Sequence, residues 1–216
     1  SDSADYRIFD ICIRGLFVDF SFACPGKKSP LALTCALPGT HNVLNAAAAA
    51  AVCIELGVDD EAIAIGLAKF AGVGRRFSVL GELTLPEGSA LVIDDYGHHP
   101  TELQATLKAA RESLTNRRIV MVFQPHRYSR TRDCYDEFVE VLSQTDVLVL
   151  LDVYPAGEAP IPGADAQALA RSIRQRGLVD PLRLLNVEHL PEILRDVLRA
   201  NDLLLMQGAG DISRLA

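Results

Sequence analysis

From about residue 75 onward the chain reads as an α/β domain built on a doubly wound, mainly parallel sheet. Short, nearly unbroken apolar runs recur at residues 90–94, 119–123, 147–151 and 203–206, as expected of strands covered on both faces. Between them lie stretches with helical spacing, such as Leu103, Leu107, Ala110 and Leu114. Ring-bearing and basic residues gather directly after the runs, where open sheets of this kind bind ligands.

The segment before residue 75 has a different rhythm. Ile8, Ile11 and Ile13 precede Arg14-Gly15, and Leu16-Phe17-Val18 gives way to alternation with Asp19 and Ser21. A break at Pro25-Gly26-Lys27-Lys28 leads into a further apolar stretch over 31–37, so residues 6–36 are expected to form an antiparallel meander. A helix is predicted over 42–56, with Thr40 as its N-cap and Gly57 closing it. Its alanine run reads as close helix packing. A second helix, 60–70, carries Ile63, Leu67 and Phe70 on one stripe. The change of pattern places a domain boundary near Gly74, giving an α+β domain over 1–74 and the α/β domain over 75–216.

In the second domain, strands are predicted at 78–85, 90–94, 119–123, 147–151, 182–187 and 203–206. Helices are predicted at 101–114, around Tyr135, Phe138, Val139 and Leu142, and at 166–176 and 189–199. Thr101 and Gln104 have capping-box spacing, while His99, held extended by Pro100, is expected to cap the same helix.

The bulk properties narrow the function. A net charge of −7 argues against a nucleic-acid or anionic-membrane surface. No apolar run approaches the ~18–20 residues that span a bilayer, and the opening Ser1-Asp2-Ser3-Ala4-Asp5-Tyr6 does not resemble a signal peptide. Five cysteines, an odd number with no CxxC pair, fit reduced thiols in a cytoplasmic protein rather than a disulfide framework or a zinc site.

Four post-strand segments hold the candidate chemistry: Asp94-Asp95-Tyr96-Gly97-His98-His99-Pro100, Gln124-Pro125-His126-Arg127-Tyr128-Ser129-Arg130, Asp152-Val153-Tyr154-Pro155-Ala156-Gly157 and Gln207-Gly208-Ala209-Gly210-Asp211. Asp94 and Asp95 are adjacent, so strand alternation points them to opposite faces and they do not form a carboxylate pair. Two other motifs fail. Gly26-Lys27-Lys28-Ser29 lacks the upstream glycine and the adjacent Ser or Thr of a phosphate loop, and Gly208-Ala209-Gly210 has no room for the βαβ unit of a dinucleotide fingerprint.

Gly39-Thr40-His41-Asn42-Val43-Leu44-Asn45-Ala46, Gly74-Arg75-Arg76-Phe77, the Asp94–Glu102 stretch and the Gln124–Arg132 stretch occur in order, and together they resemble the Mur ligase family. The likeness is nearest to the branch that joins L-alanine to UDP-N-acetylmuramate. It implies an ATP-dependent ligase of peptidoglycan synthesis, using an acyl phosphate, ATP and magnesium. It also implies that the chain holds the last part of a central ATP-binding domain and the whole Rossmann-like C-terminal domain. The UDP-binding domain, the phosphate loop and the magnesium ligands have no counterpart, so this chain alone is expected to be inactive. By the same resemblance, His41 and Asn45 contact adenine, Arg76 reaches the ATP phosphates and Asp95 binds the ribose. Tyr96, His98, His126, Arg127 and Arg130 form the amino-acid pocket, with Arg76 and His126 the catalytic candidates. Either Arg127 or Arg130 clamps the amino-acid carboxylate. Two rival readings are a ligase that adds an intact tripeptide to the same UDP-sugar, and a non-catalytic binding module.

Overall fold

The computed structural model describes residues 4–215; the polar opening Ser1-Asp2-Ser3 lies outside them. The chain divides into two compact units. One reaches to Val73 and takes in Lys108–Thr115; the other is formed by Gly74–Leu107 and the chain from Asn116 onward.

In the first unit, β1 (Arg7–Arg14), β2 (Phe17–Ala23) and β3 (Leu31–Cys35) form an antiparallel sheet in that order, the expected meander. Alternation along β2 sends Val18, Phe20 and Phe22 inward, where they meet Val43, Ala46, Ala47 and Ala50 of α1 (Thr40–Glu55) and Ile63 of α2 (Asp60–Lys69). Small alanines on the inner face let the helix lie close to the sheet. Thr40 is not the N-cap of α1. That position falls to Gly39 at φ 94°, which makes no side-chain cap, while the Asn42 amide donates back to the Pro38 carbonyl at 2.7 Å. His41 and Asn45, one turn apart, lie on the exposed side of α1.

The second unit is a six-stranded sheet in the order β4-β5-β9-β6-β7-β8. Its strands are β4 (Ser78–Leu85), β5 (Gly88–Asp95), β6 (Ile119–Phe123), β7 (Val147–Leu151), β8 (Leu182–Leu184) and β9 (Leu203–Gln207). β4 pairs antiparallel with β5, and every other pairing is parallel. The helices are α3 (Pro100–Ser113), α4 (Tyr128–Asp133), α5 (Tyr135–Leu142), α6 (Ala166–Arg176) and α7 (Leu190–Val197). Val120 and Val122 of β6 share a core with Leu190, Ile193 and Leu194 of α7. Phe123, facing the other way, packs on Phe138 of α5 with ring centroids 5.7 Å apart. The sheet is therefore covered on both sides, as its unbroken apolar strands require.

Two local expectations are corrected here. Thr101 and Gln104 form no capping box. Gln104 exchanges amide hydrogen bonds with Gln144, and Glu102 instead reaches back to the His98 and His99 N–H groups. His99 does cap α3, accepting from the Thr101 N–H at 3.3 Å. The strand expected over 182–187 stops at Leu184, because Asn186 caps a 3-10 turn at Val187–His189 through the Glu188 N–H. No described helix is long and apolar enough to cross a membrane.

Candidate functional site

The carboxyl ends of β5, β9, β6 and β7 lie side by side, and the loops that leave them interlock. Asp95, the last residue of β5, is the hub. Its Oδ1 accepts from the Gly97 N–H at 2.8 Å, the Gln207 amide at 3.0 Å and the Thr106 hydroxyl at 3.3 Å, and its Oδ2 accepts from the Phe77 N–H at 2.9 Å. This one buried carboxylate ties the turn before β4, the end of β9 and helix α3 to β5. A Cβ on Gly97 would fall 2.5 Å from the Gln207 amide nitrogen and 2.7 Å from Asp95 Oδ1, so only glycine leaves room for the hub. Gln124 makes a second tie, donating to Asp211 at 2.9 Å and accepting from the Ile212 N–H at 3.2 Å.

Asp94 turns to the opposite face, as alternation requires, and meets Arg75 at 3.4 Å. Burial pushes the Asp94 carboxyl above the usual carboxylate range; Arg75 opposes the shift and Asp95 adds to it. Arg75 is held in place: besides this pair it donates to the Gly208 carbonyl and lies over the Tyr96 ring at 4.8 Å. Its neighbour Arg76 is different. Its side chain is 52% exposed, and its one ion pair among the described residues is a 3.4 Å contact with Glu102. Arg75 and Phe77 both hold left-handed backbone, φ 61° and 50°, as does Arg127 at φ 72°. Non-glycine residues in this region cost roughly 1–3 kcal/mol each and concentrate at functional sites.

Four rings form a ladder along the sheet edge. Tyr96 meets His98 edge-on at 5.2 Å, His98 meets His126 at 5.7 Å, and His126 stacks on Tyr154 at 5.4 Å with 14° between planes. Backbone bonds from Tyr154 N to the Pro125 carbonyl and from Arg127 N to the Tyr154 carbonyl, both 2.8 Å, hold the last rung. Arg130 Nη1 donates to the His126 carbonyl at 3.1 Å and lies 3.3 Å from its Nδ1. Glu158 grips the start of α4, accepting from the Ser129 N–H at 2.9 Å and hydroxyl at 2.6 Å. Arg127 is exposed, and its guanidinium makes no hydrogen bond to any described residue.

Electrostatics follow from this packing. Burial lowers the His126 pKa, and Arg130, His98 and Arg127 lower it further, against a small opposing pull from Glu158. Burial works against ionisation of Glu102. The N–H groups of His98 and His99, the His98 imidazole and Arg76 outweigh it, so Glu102 sits below the usual carboxylate range. In an imidazole NMR titration, His126 should become charged only below the ordinary histidine value of about 6.5. The unfolded chain then binds the proton more readily than the folded one. This contribution to stability is intact above about pH 6.5 and is lost as the pH falls toward the lowered folded value. A His126 midpoint above 6.5 would contradict the packing.

Tyr96, His98, His126, Arg127 and Arg130 thus meet at one sheet edge, with Asp95 beneath them and Arg76 beside Tyr96, its guanidinium 5.7 Å from that ring. His41 and Asn45 belong to the first unit. Sequence reasoning assigned no role to Tyr154, Glu158, Gln124 or Gln207. The signal available was position: Tyr154, Gln124 and Gln207 end or directly follow apolar strands. No group of three or more His, Cys, Asp or Glu that would hold a metal occurs among the described residues. The edge carboxylates Asp94, Asp95, Glu102 and Glu158 each take at least one donor or cation from within the domain.

A doubly wound sheet with basic and ring-bearing loops at its carboxyl edge defines an α/β domain of the Rossmann-like class. The Mur ligase, glutamate ligase domain family matches residues 75–210, and the chain belongs to the Mur ligase family. It is similar to the UDP-N-acetylmuramate-alanine ligase of Thermotoga maritima, with 29% identity and a TM-score of 0.81, over 99% of this chain and 44% of that one. The fold is shared with a murein peptide ligase of Psychrobacter arcticus (21% identity, TM-score 0.62, 99% of this chain and 43% of that one). It is also shared with MurF of Acinetobacter baumannii (18% identity, TM-score 0.67, 100% of this chain and 45% of that one). The chain therefore spans less than half the length of these relatives.

Proposed function

We propose that this chain is the amino-acid-binding part of an ATP-dependent cytoplasmic ligase that joins L-alanine to UDP-N-acetylmuramate in peptidoglycan synthesis. The observation that carries the reading is the ring ladder flanked by two arginines in different states. Arg130 is spent on fixing His126, while the Arg127 guanidinium is exposed and has no hydrogen-bond partner among the described residues. A free planar fork beside fixed rings suits a small amino-acid carboxylate, which it can grip through two parallel hydrogen bonds. The 29% identity to the Thermotoga alanine ligase supports alanine over the other family substrates.

In this reading the substrate carboxylate is activated as an acyl phosphate, and the alanine amine displaces phosphate from it. Arg127 holds the alanine carboxylate, and the rings border the small side chain. Holding the amine against the acyl carbon supplies the orientation that such a reaction needs. Arg76, exposed and weakly paired, is the cation for the phosphates, and Arg75 is excluded from that task by its buried partners. Among the described residues Asp95 has only one donor on Oδ2, which leaves an acceptor site there for a ribose hydroxyl. His41 and Asn45 serve adenine from α1. Magnesium would be held outside this residue set.

The test is a competition. A ligase containing this chain, given ATP, magnesium, UDP-N-acetylmuramate and equal amounts of L-alanine and the murein tripeptide, should yield the alanine adduct by mass spectrometry. Preferential tripeptide addition would replace the reading with the recycling ligase. Binding without ligation of either would favour a non-catalytic module.

A further inference from the structure

The two histidines in the middle of the ladder are held as opposite tautomers. His98 Nδ1 lies 3.1 Å from the Tyr96 carbonyl, which only accepts, so Nδ1 carries the hydrogen and Nε2 is a bare lone pair. His126 Nδ1 lies 3.3 Å from Arg130, which only donates, so Nδ1 is bare and the neutral ring carries its hydrogen on Nε2. Neither Nε2 has a hydrogen-bond partner among the described residues. The ladder therefore offers one free acceptor and one free donor on rings 5.7 Å apart.

An incoming amino acid needs that pair. At neutral pH its nitrogen is an ammonium, which has no lone pair to attack with. We infer that His98 is the catalytic base that takes this proton, with His126 the neutral donor opposite it; the inference rests on the ligase reading above. In the step, an N–H bond of the ammonium breaks and its proton joins His98 Nε2. The freed pair on nitrogen forms the C–N bond to the acyl phosphate, and the carbonyl π pair moves onto oxygen. Collapse of that intermediate expels inorganic phosphate with the C–O pair, and the nitrogen loses a second proton to solvent.

The surroundings of His98 suit a transient positive charge. Glu102 lies 3.5 Å from the ring's Nδ1 and faces the imidazolium that forms. This is an arrangement by which a carboxylate orients a histidine. Arg76, Arg75 and Arg130 oppose the charge from the flanks, and Tyr96 and His126 border the ring edge-on and obliquely. His126 cannot exchange roles with His98, because Arg130 occupies the nitrogen that would have to accept and burial disfavours its charged form.

The tautomers are testable in this chain. Long-range 1H–15N spectra, assigned with His98→Gln and His126→Gln, should show the hydrogen on Nδ1 of His98 and on Nε2 of His126. The same tautomer at both overturns the inference. In the ligase assay, H98Q should lower kcat/KM for the amino acid more than tenfold near neutral pH. The deficit should shrink as the pH rises and the amine deprotonates by itself. Hydroxylamine, already neutral at pH 7, should be used almost equally by wild type and H98Q. A loss of equal size at every pH and for both nucleophiles would make His98 structural and overturn the proposal. If the wild-type protein prefers another amino donor, the alanine reading falls, and the same pH test applies to that donor.

Discussion

Asp95→Ala should unfold the second unit more easily by about 3 kcal/mol or more, the sum of several buried donors left without an acceptor at roughly 1–3 kcal/mol each. The Phe77 and Gly97 N–H groups and the Gln207 amide would all lose their partner at once, in a place where Asp95 itself is only 5% exposed. Water entering the space relieves part of this, which keeps the loss below a full sum. Asp95→Asn should recover only part, since the new amide nitrogen meets a donor where a carboxylate oxygen met one. Urea unfolding of wild type, D95A and D95N measures it. A loss under about 1 kcal/mol for D95A would remove Asp95 from the centre of the edge.

Arg127→Ala should lower kcat/KM for L-alanine by roughly 10–200-fold, the equivalent of about 1.5–3 kcal/mol, the range of one charge-assisted hydrogen bond. A short amino acid has little apolar surface, so its carboxylate supplies much of the binding, and losing the grip also misplaces the amine. Lysine should rescue poorly, because a point charge does not reproduce a planar fork. Arg130→Ala is expected to act differently. Arg130 is already bonded to His126, so its loss should free the His126 tautomer and change the pH profile along with the affinity. The apparent KM for ATP should move little in either variant. If Arg127→Ala keeps normal alanine kinetics while Arg130→Ala abolishes binding, the two arginines exchange roles.

Much of the fold was legible because the apolar runs of β6, β7 and β9 are short, unbroken and separated by amphipathic helices. That pattern has few solutions other than a parallel sheet covered on both sides. The gathering of His, Tyr and Arg at its carboxyl edge followed from position alone. What the residues do to one another there was not legible. Tyr154 stacks on His126 only because β6 and β7 are neighbours in register, a fact of pairing rather than of local pattern. Arg75 and Arg76 are the same residue type in adjacent places. Only the three-dimensional contacts show that one is half-buried against Asp94 and Gly208 while the other is exposed. Left-handed backbone at Arg75, Phe77 and Arg127 was equally hidden, since none of them is glycine. Glu102 rather than Gln104 serves the start of α3 because the chain at His98 and His99 brings two N–H groups within reach of one carboxylate oxygen.

Binding of the incoming amino acid at the carboxyl edge of the six-stranded sheet can be followed by 1H–15N shift mapping of this chain during titration with L-alanine. Shifts are expected at Tyr96, Gly97 and His98, along His126 to Arg130, and at Tyr154, and all of them should disappear in Arg127→Ala. Shifts that spare these loops and gather elsewhere, or that persist unchanged in Arg127→Ala, would contradict it.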